Sequence, residues 1–138
     1  MLSYITIGAD DLPRSGRFYA AVLVPLGYRM TQTAEGIEFA WPEPPDRPGG
    51  AATVYVKHPF DGRAASAGNG SMTAFRAATQ AMVRAVHAAG IAAGGADEGA
   101  PGFRDDYSAH FYVGYLRDPV GNKLAIFCND PAEGIRGG

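Results

Sequence analysis

Residues 2–8, LSYITIG, alternate along an extended chain, with Ile5 and Ile7 on one side and Tyr4 and Thr6 on the other. That period of two predicts a strand. Asp10-Asp11 then offers a helix N-cap, and Pro13 suits a first helical turn. Ser15, Phe18, Tyr19, Val22, Leu23 and Leu26 follow helical spacing, and Pro25 and Gly27 close the run. Residues 28–33 and 37–41 read as two strands about the turn Ala34-Glu35-Gly36. A Pro/Gly-rich loop fills 42–50, and 52–57 is a fourth strand. Residues 59–70 are small and polar, the composition of a linker.

The order then restarts. Residues 71–77 predict a strand. Thr79 is the N-cap of a helix carrying Met82, Val83 and Val86, ending near Gly90 or Gly94. The glycine-rich stretch 94–102 predicts a loop and 110–117 a strand. Asp118-Pro119-Val120-Gly121-Asn122 is a turn, and 123–128 is the returning strand. Strand, helix, strands, linker and the same again predict an α+β protein of mostly antiparallel strands. One sheet face lies under helices and the other lines a cavity. Halves of about 60 residues are too small to stand alone, so they are expected to pack as one domain. Its expected bounds are 1–130, with module one over about 1–58, a linker over about 59–70, module two over about 71–130 and a loose tail at 131–138.

Composition narrows the function. The chain has 138 residues, of which 46% are hydrophobic and 19% charged, enough for a packed core and too little charge for a disordered chain. With 12 Lys and Arg against 14 Asp and Glu, the net charge is −2, and no basic face for nucleic acid is expected. The single cysteine, Cys128, excludes an internal disulfide and a Cys-rich zinc module. It reads as a buried small hydrophobe. Apolar runs are too short to span a bilayer, and the first residues lack the pattern of a signal peptide. A cytoplasmic protein with no membrane partner is therefore expected.

Three stretches, YITIGADDLPRSGRFYAAVLVPLGYRM at 4–30, GSMTAFRAATQAMVRAVHAAGIAAGG at 70–95 and GAPGFRDDYSAHFYVGYLRDPVGNKLAIFC at 99–128, carry a resemblance. In order and spacing they are similar to the vicinal oxygen chelate superfamily, which includes glyoxalase I, bleomycin-resistance proteins and extradiol dioxygenases. The resemblance implies paired βαβββ modules forming a cupped sheet around a pocket, usually in a homodimer. It also implies a divalent metal held by His and Glu side chains, acting as a Lewis acid on the substrate. Carried over residue by residue, the first ligand position holds Tyr4, the second-module His position holds Met72, and the Glu position holds Ala125. A fourth falls near Thr53 or Tyr55. A neutral phenol, a thioether and a methyl group are not the donors that such a metal takes. No metal and no other cofactor are therefore expected.

Tyr4, Met72 and Ala125 are expected to face one shared cavity, with Ile5, Ile7, Phe75, Leu124 and Ile126 toward the helices. Tyr4, Thr6, Tyr55, Met72, Arg104, Tyr107, Tyr112 and Ala125 are the candidate ligand-binding residues. His110, Arg104 and Tyr4 are the candidates for acid–base or electrostatic chemistry. Arg104 has two readings, a clamp for a ligand carboxylate or phosphate, or a salt bridge with Asp105 or Asp106. His87 reads as a solvated helix-surface residue and His58 as a turn residue. The expected function is binding of a small organic molecule in the cup without metal. The alternative is a metal-dependent lyase or dioxygenase with relocated ligands.

Overall fold

The computed structural model describes residues 1–43, 46 and 52–136. Most of the expected 42–50 loop lies outside the described residues. The elements run β1 (Tyr4–Gly8), α1 (Leu12–Leu26), β2 (Arg29–Gln32), β3 (Gly36–Ala40), β4 (Thr53–Lys57), β5 (Met72–Arg76), α2 (Gln80–Ala92), β6 (Ala96–Phe103), β7 (Tyr112–Arg117) and β8 (Lys123–Cys128). Two four-stranded sheets result, in the orders β1-β4-β3-β2 and β5-β8-β7-β6. In each, the first strand pairs parallel with the last and the remaining pairs are antiparallel. The α+β reading and the repeat of βαβββ modules both hold.

Local chemistry sets both helices. The Asp11 side chain accepts from the Arg14 amide at 3.1 Å, and Gly27 closes α1 in the left-handed region at φ 113°. A β-carbon at Gly27 would also meet the Trp41 ring at 3.1 Å. Thr79 Oγ1 accepts from the Met82 amide at 3.0 Å and starts α2. Each helix lies on one face of its sheet. Phe18, Val22 and Leu23 of α1 and Val83 and Val86 of α2 join Phe39, Val54, Val56, Phe75, Leu124 and Ile126 in one buried cluster. The two modules thus share a core, and burying each such side chain is worth about 1.5–3 kcal/mol.

Two expectations change. The glycine-rich stretch is not a loop but strand β6. It lies at the edge of its sheet, and its register shifts on both sides of Gly99. An edge strand with bulges tolerates glycine and proline that a central strand would not. Glycine is needed there, because a β-carbon at Gly99 would stand 2.8 Å from the Tyr115 ring. The expected loose tail is tied down over its described part. Glu133 accepts from the Gln80 amide at 2.6 Å, and the Arg136 amide donates to the Ala109 carbonyl at 3.0 Å.

The turn Asp118–Asn122 does more than reverse the chain. Asp118 is buried, and its Oδ1 accepts from the amides of Val120, Gly121 and Asn122, each at 2.9 Å. Its Oδ2 accepts from Asn122 Nδ2 at 3.0 Å and from the Tyr19 hydroxyl of α1 at 2.6 Å. Burial, then the adjacent carboxylate, pushes the Tyr19 phenol well above its ordinary range. The neutral phenol therefore stays a donor, and a module-one helix is bonded to a module-two turn. We expect Tyr19→Phe to cost about 1–3 kcal/mol in urea unfolding and Asp118→Ala about 3 kcal/mol or more, since the latter strands several buried donors. A Tyr19→Phe protein as stable as the parent would show that this bridge does not couple the modules.

Candidate functional site

The faces away from the helices follow from the strand period. On the first sheet they carry Tyr4 and Thr6 of β1, Thr53, Tyr55 and Lys57 of β4, and Glu38 of β3, which are cross-strand neighbours. On the second they carry Met72 and Ala74 of β5, Lys123, Ala125 and Phe127 of β8, and Tyr115 of β7. The opposite faces hold Ile5, Ile7, Phe75, Leu124 and Ile126 in or against the core, as expected. Thr53 and Tyr55, which the sequence leaves in doubt, both fall on the concave side.

A cavity of about 630 Å³ opens on the first module, lined by Tyr4, Thr6, Glu35, Glu38, Tyr55 and Lys57. Tyr4 and Tyr55 meet edge to face there, ring centroids 5.5 Å apart at 86°. Desolvation, then the Glu38 carboxylate, raises the Tyr55 phenol above its ordinary value. A second cavity of about 270 Å³ lies where β1 meets β5 and β8, lined by Thr6, Ser66, Ser71, Met72, Asn122 and Lys123. The structure thus brings Tyr4, Thr6 and Tyr55 together, and joins Met72 to them through Thr6. Glu38, Glu35 and Lys57 escaped the sequence reading. The alternations Ile37-Glu38-Phe39 and Tyr55-Val56-Lys57 held the signal, since Glu38 alternates with the core residues Ile37 and Phe39, and Lys57 with the core residue Val56.

The remaining candidates are placed elsewhere. Ala125 is on the concave side but only 2% exposed, enclosed by its cross-strand neighbours Tyr115 and Ala74. It lines neither of these cavities, and Tyr4 and Met72 line different ones, so these two cavities do not join Tyr4, Met72 and Ala125. Tyr112 points the other way. It is buried against α2, where Arg84 Nη1 donates to its hydroxyl at 3.3 Å. Its odd spacing from Tyr115 puts the two tyrosines on opposite faces. Tyr107 packs edge-on to Phe111, which stacks on Phe127, so this loop covers much of the second concave face. Among the described residues Arg104 forms no salt bridge with Asp105 or Asp106. Its guanidinium donates to the Ala100 carbonyl at 2.7 Å and lies 5.4 Å over the Tyr115 ring.

The histidines are scattered. His58 Nδ1 is 3.0 Å from the Ala9 carbonyl. His110 lies in the loop before β7, away from both cavities, and its Nδ1 is buried without a partner among the described residues. His87, expected at the surface, is buried. Its Nε2 sits 3.1 Å from both Asp97 Oδ1 and the Tyr115 carbonyl. Two acceptors flank that nitrogen, so it carries the hydrogen. Room for the ring comes from Gly114, where a β-carbon would stand 3.1 Å from His87 Cδ2. The Gly99 amide and then His87 hold the Asp97 carboxyl below its ordinary range.

No protein-family model and no curated protein matches the chain. Among solved structures, a glyoxalase/bleomycin resistance protein from Albidiferax ferrireducens is 36% identical, with TM-score 0.78, over 94% of this chain and 99% of that one. This chain belongs to the glyoxalase/bleomycin resistance protein/dioxygenase family. The fold is shared further afield. A glyoxalase-related enzyme from Fulvimarina pelagi matches at 22% identity and TM-score 0.62, over 97% of this chain and 94% of that one. A family enzyme from Burkholderia phytofirmans matches at 18% and 0.62, over 93% and 98%.

Family membership makes a divalent metal the group to test. The concave positions that align with ligands carry a tyrosine, a methionine, a buried alanine and Thr53 or Tyr55. Hard and borderline divalent ions take imidazole, carboxylate or thiolate donors. Among the described residues, no three His, Cys, Asp or Glu side chains converge as a metal site. On the strands of the first sheet Glu38 is the one carboxylate among the described residues, and its cross-strand neighbours are Tyr55 and Thr31; Glu98 of β6 is paired with Arg117. The residues present do not fit the family's metal. We expect Ala125→Phe to overpack the second sheet and lower stability by about 1–3 kcal/mol in thermal melts. An unchanged melting temperature would mean that Ala125 opens on free space.

Proposed function

We propose that this family member binds a small organic molecule in its concave cup without a metal. The open cavity beside Tyr4 and Tyr55 carries this reading, because aromatic side chains stand where the family resemblance puts metal ligands. A cavity of this size suits a small ligand, and a mixed lining of rings, hydroxyls and charges can orient one. The reading of a metal-dependent lyase or dioxygenase rests on family likeness, and no cluster of donors among the described residues favours it.

Two companions belong to the proposal. The chain works as a homodimer, supported by Leu2 and Met72, apolar side chains that are 75% and 49% exposed. It acts in the cytoplasm, which is compatible with the finding that no helix among the described residues is long and apolar enough to cross a membrane.

Equilibrium dialysis against zinc, nickel and manganese, followed by elemental analysis, is expected to leave no stoichiometric metal on the protein. About one tightly held ion per chain would overturn the metal-free reading. Light scattering is expected to give twice the chain mass, and a value near 14.5 kDa at every concentration would refute the dimer.

A further inference from the structure

We propose that the first cavity takes an organic cation, an ammonium group on a small apolar body. This rests on the metal-free binding reading and adds the chemical class of the ligand. The electron-rich face of a tyrosine ring attracts a cation, and paired rings recognise alkylammonium groups in this way.

Protein cations already occupy the second module's rings. Arg104 and Lys123 lie 5.4 and 5.0 Å from the centre of Tyr115, and Arg76 lies 5.0 Å from Phe127. Tyr4 and Tyr55 carry no such partner among the described residues, and Tyr4 is 63% exposed beside the cavity.

Charge supports the same occupant. Glu38 is the cross-strand neighbour of Tyr55, and Glu35 lies in the turn that walls the cavity. The ion pairs among the described residues use other carboxylates, those of Asp97 and Glu98. Lys57 is the one cation in the lining, two residues along β4 from Tyr55, or about 6.6 Å further along the strand. Two carboxylates thus face one ammonium. After desolvation, the Glu38 carboxylate and, more weakly, that of Glu35 raise the Tyr55 phenol, so both acids place negative charge at this ring. A carboxylate ligand would meet that field unfavourably, whereas a cation is held by both the rings and the acids.

The test titrates the full chain with choline, its uncharged isostere 3,3-dimethylbutanol and the anion pivalate, following the ring signals of Tyr4 and Tyr55 by NMR. Choline is expected to shift both rings and to bind about tenfold tighter than the alcohol. Glu38→Gln is expected to weaken choline about fivefold, leave the alcohol unchanged and reduce the effect of salt on binding. Glu35→Gln, in an exposed turn, gives the same comparison should the Glu38 variant fold poorly, with circular dichroism as the control. If the alcohol or pivalate binds at these rings as well as choline does, the cation class falls and small-molecule binding stands. If none of the three shifts either ring at millimolar concentration, both fall.

Discussion

The buried carboxylate of Asp118 is the constraint on which the arrangement of the two modules depends. A desolvated carboxylate is costly unless its lone pairs are filled, and this one is filled by five donors. Four come from its own turn and shape the reversal between β7 and β8. The fifth is the Tyr19 hydroxyl, from a helix 99 residues away in sequence. Satisfying one side chain therefore fixes a turn in one module against a helix in the other. The shared core on the convex side does the rest, and the concave side is left free to vary.

That freedom is used differently by the two modules. In the second, Phe111, Phe127 and Tyr115 stack with one another or with Arg76, Arg104 and Lys123, so the concave face is largely filled by the protein's own groups. In the first, Tyr4 and Tyr55 meet edge to face and leave open space bounded by Glu35, Glu38 and Lys57. A pseudo-symmetric fold thus presents an asymmetric cup. The repeat sets where the strands lie, and the side chains at alternate positions decide which half can hold a ligand.

The family fold survives without the family's usual donors because fold and site rest on opposite faces of the same strands. Ile5, Phe75, Leu124 and Ile126 face the helices and maintain the core, while their neighbours Tyr4, Met72, Lys123 and Ala125 face away. At the exposed positions of Tyr4 and Met72 a change of side chain removes no core contact, whereas Ala125 is itself enclosed. A chain can therefore keep the architecture of its relatives while its chemistry departs from theirs.

By itself the sequence determined the repeat, both helices with their N-caps, the C-cap of α1 and the faces of β1, β5 and β8; α2 runs past Gly90 to an Ala93 cap that it did not indicate. Each of these rests on local rules: a side-chain acceptor at a helix start, a left-handed glycine at a helix end, or a period of two. What it could not decide were contacts between residues far apart along the chain. The stretch 94–102 reads as loop by composition and becomes a strand because β7 supplies hydrogen-bond partners to an edge that tolerates bulges. His87 reads as solvated and is buried because Gly114, on another element, leaves space for its ring. Ala125 has the right face but no opening, since the bulk of Tyr115 beside it is a matter of packing and not of period. Glu38 joins Tyr55 at the cavity only through the pairing of β3 with β4, a register that tertiary structure alone supplies.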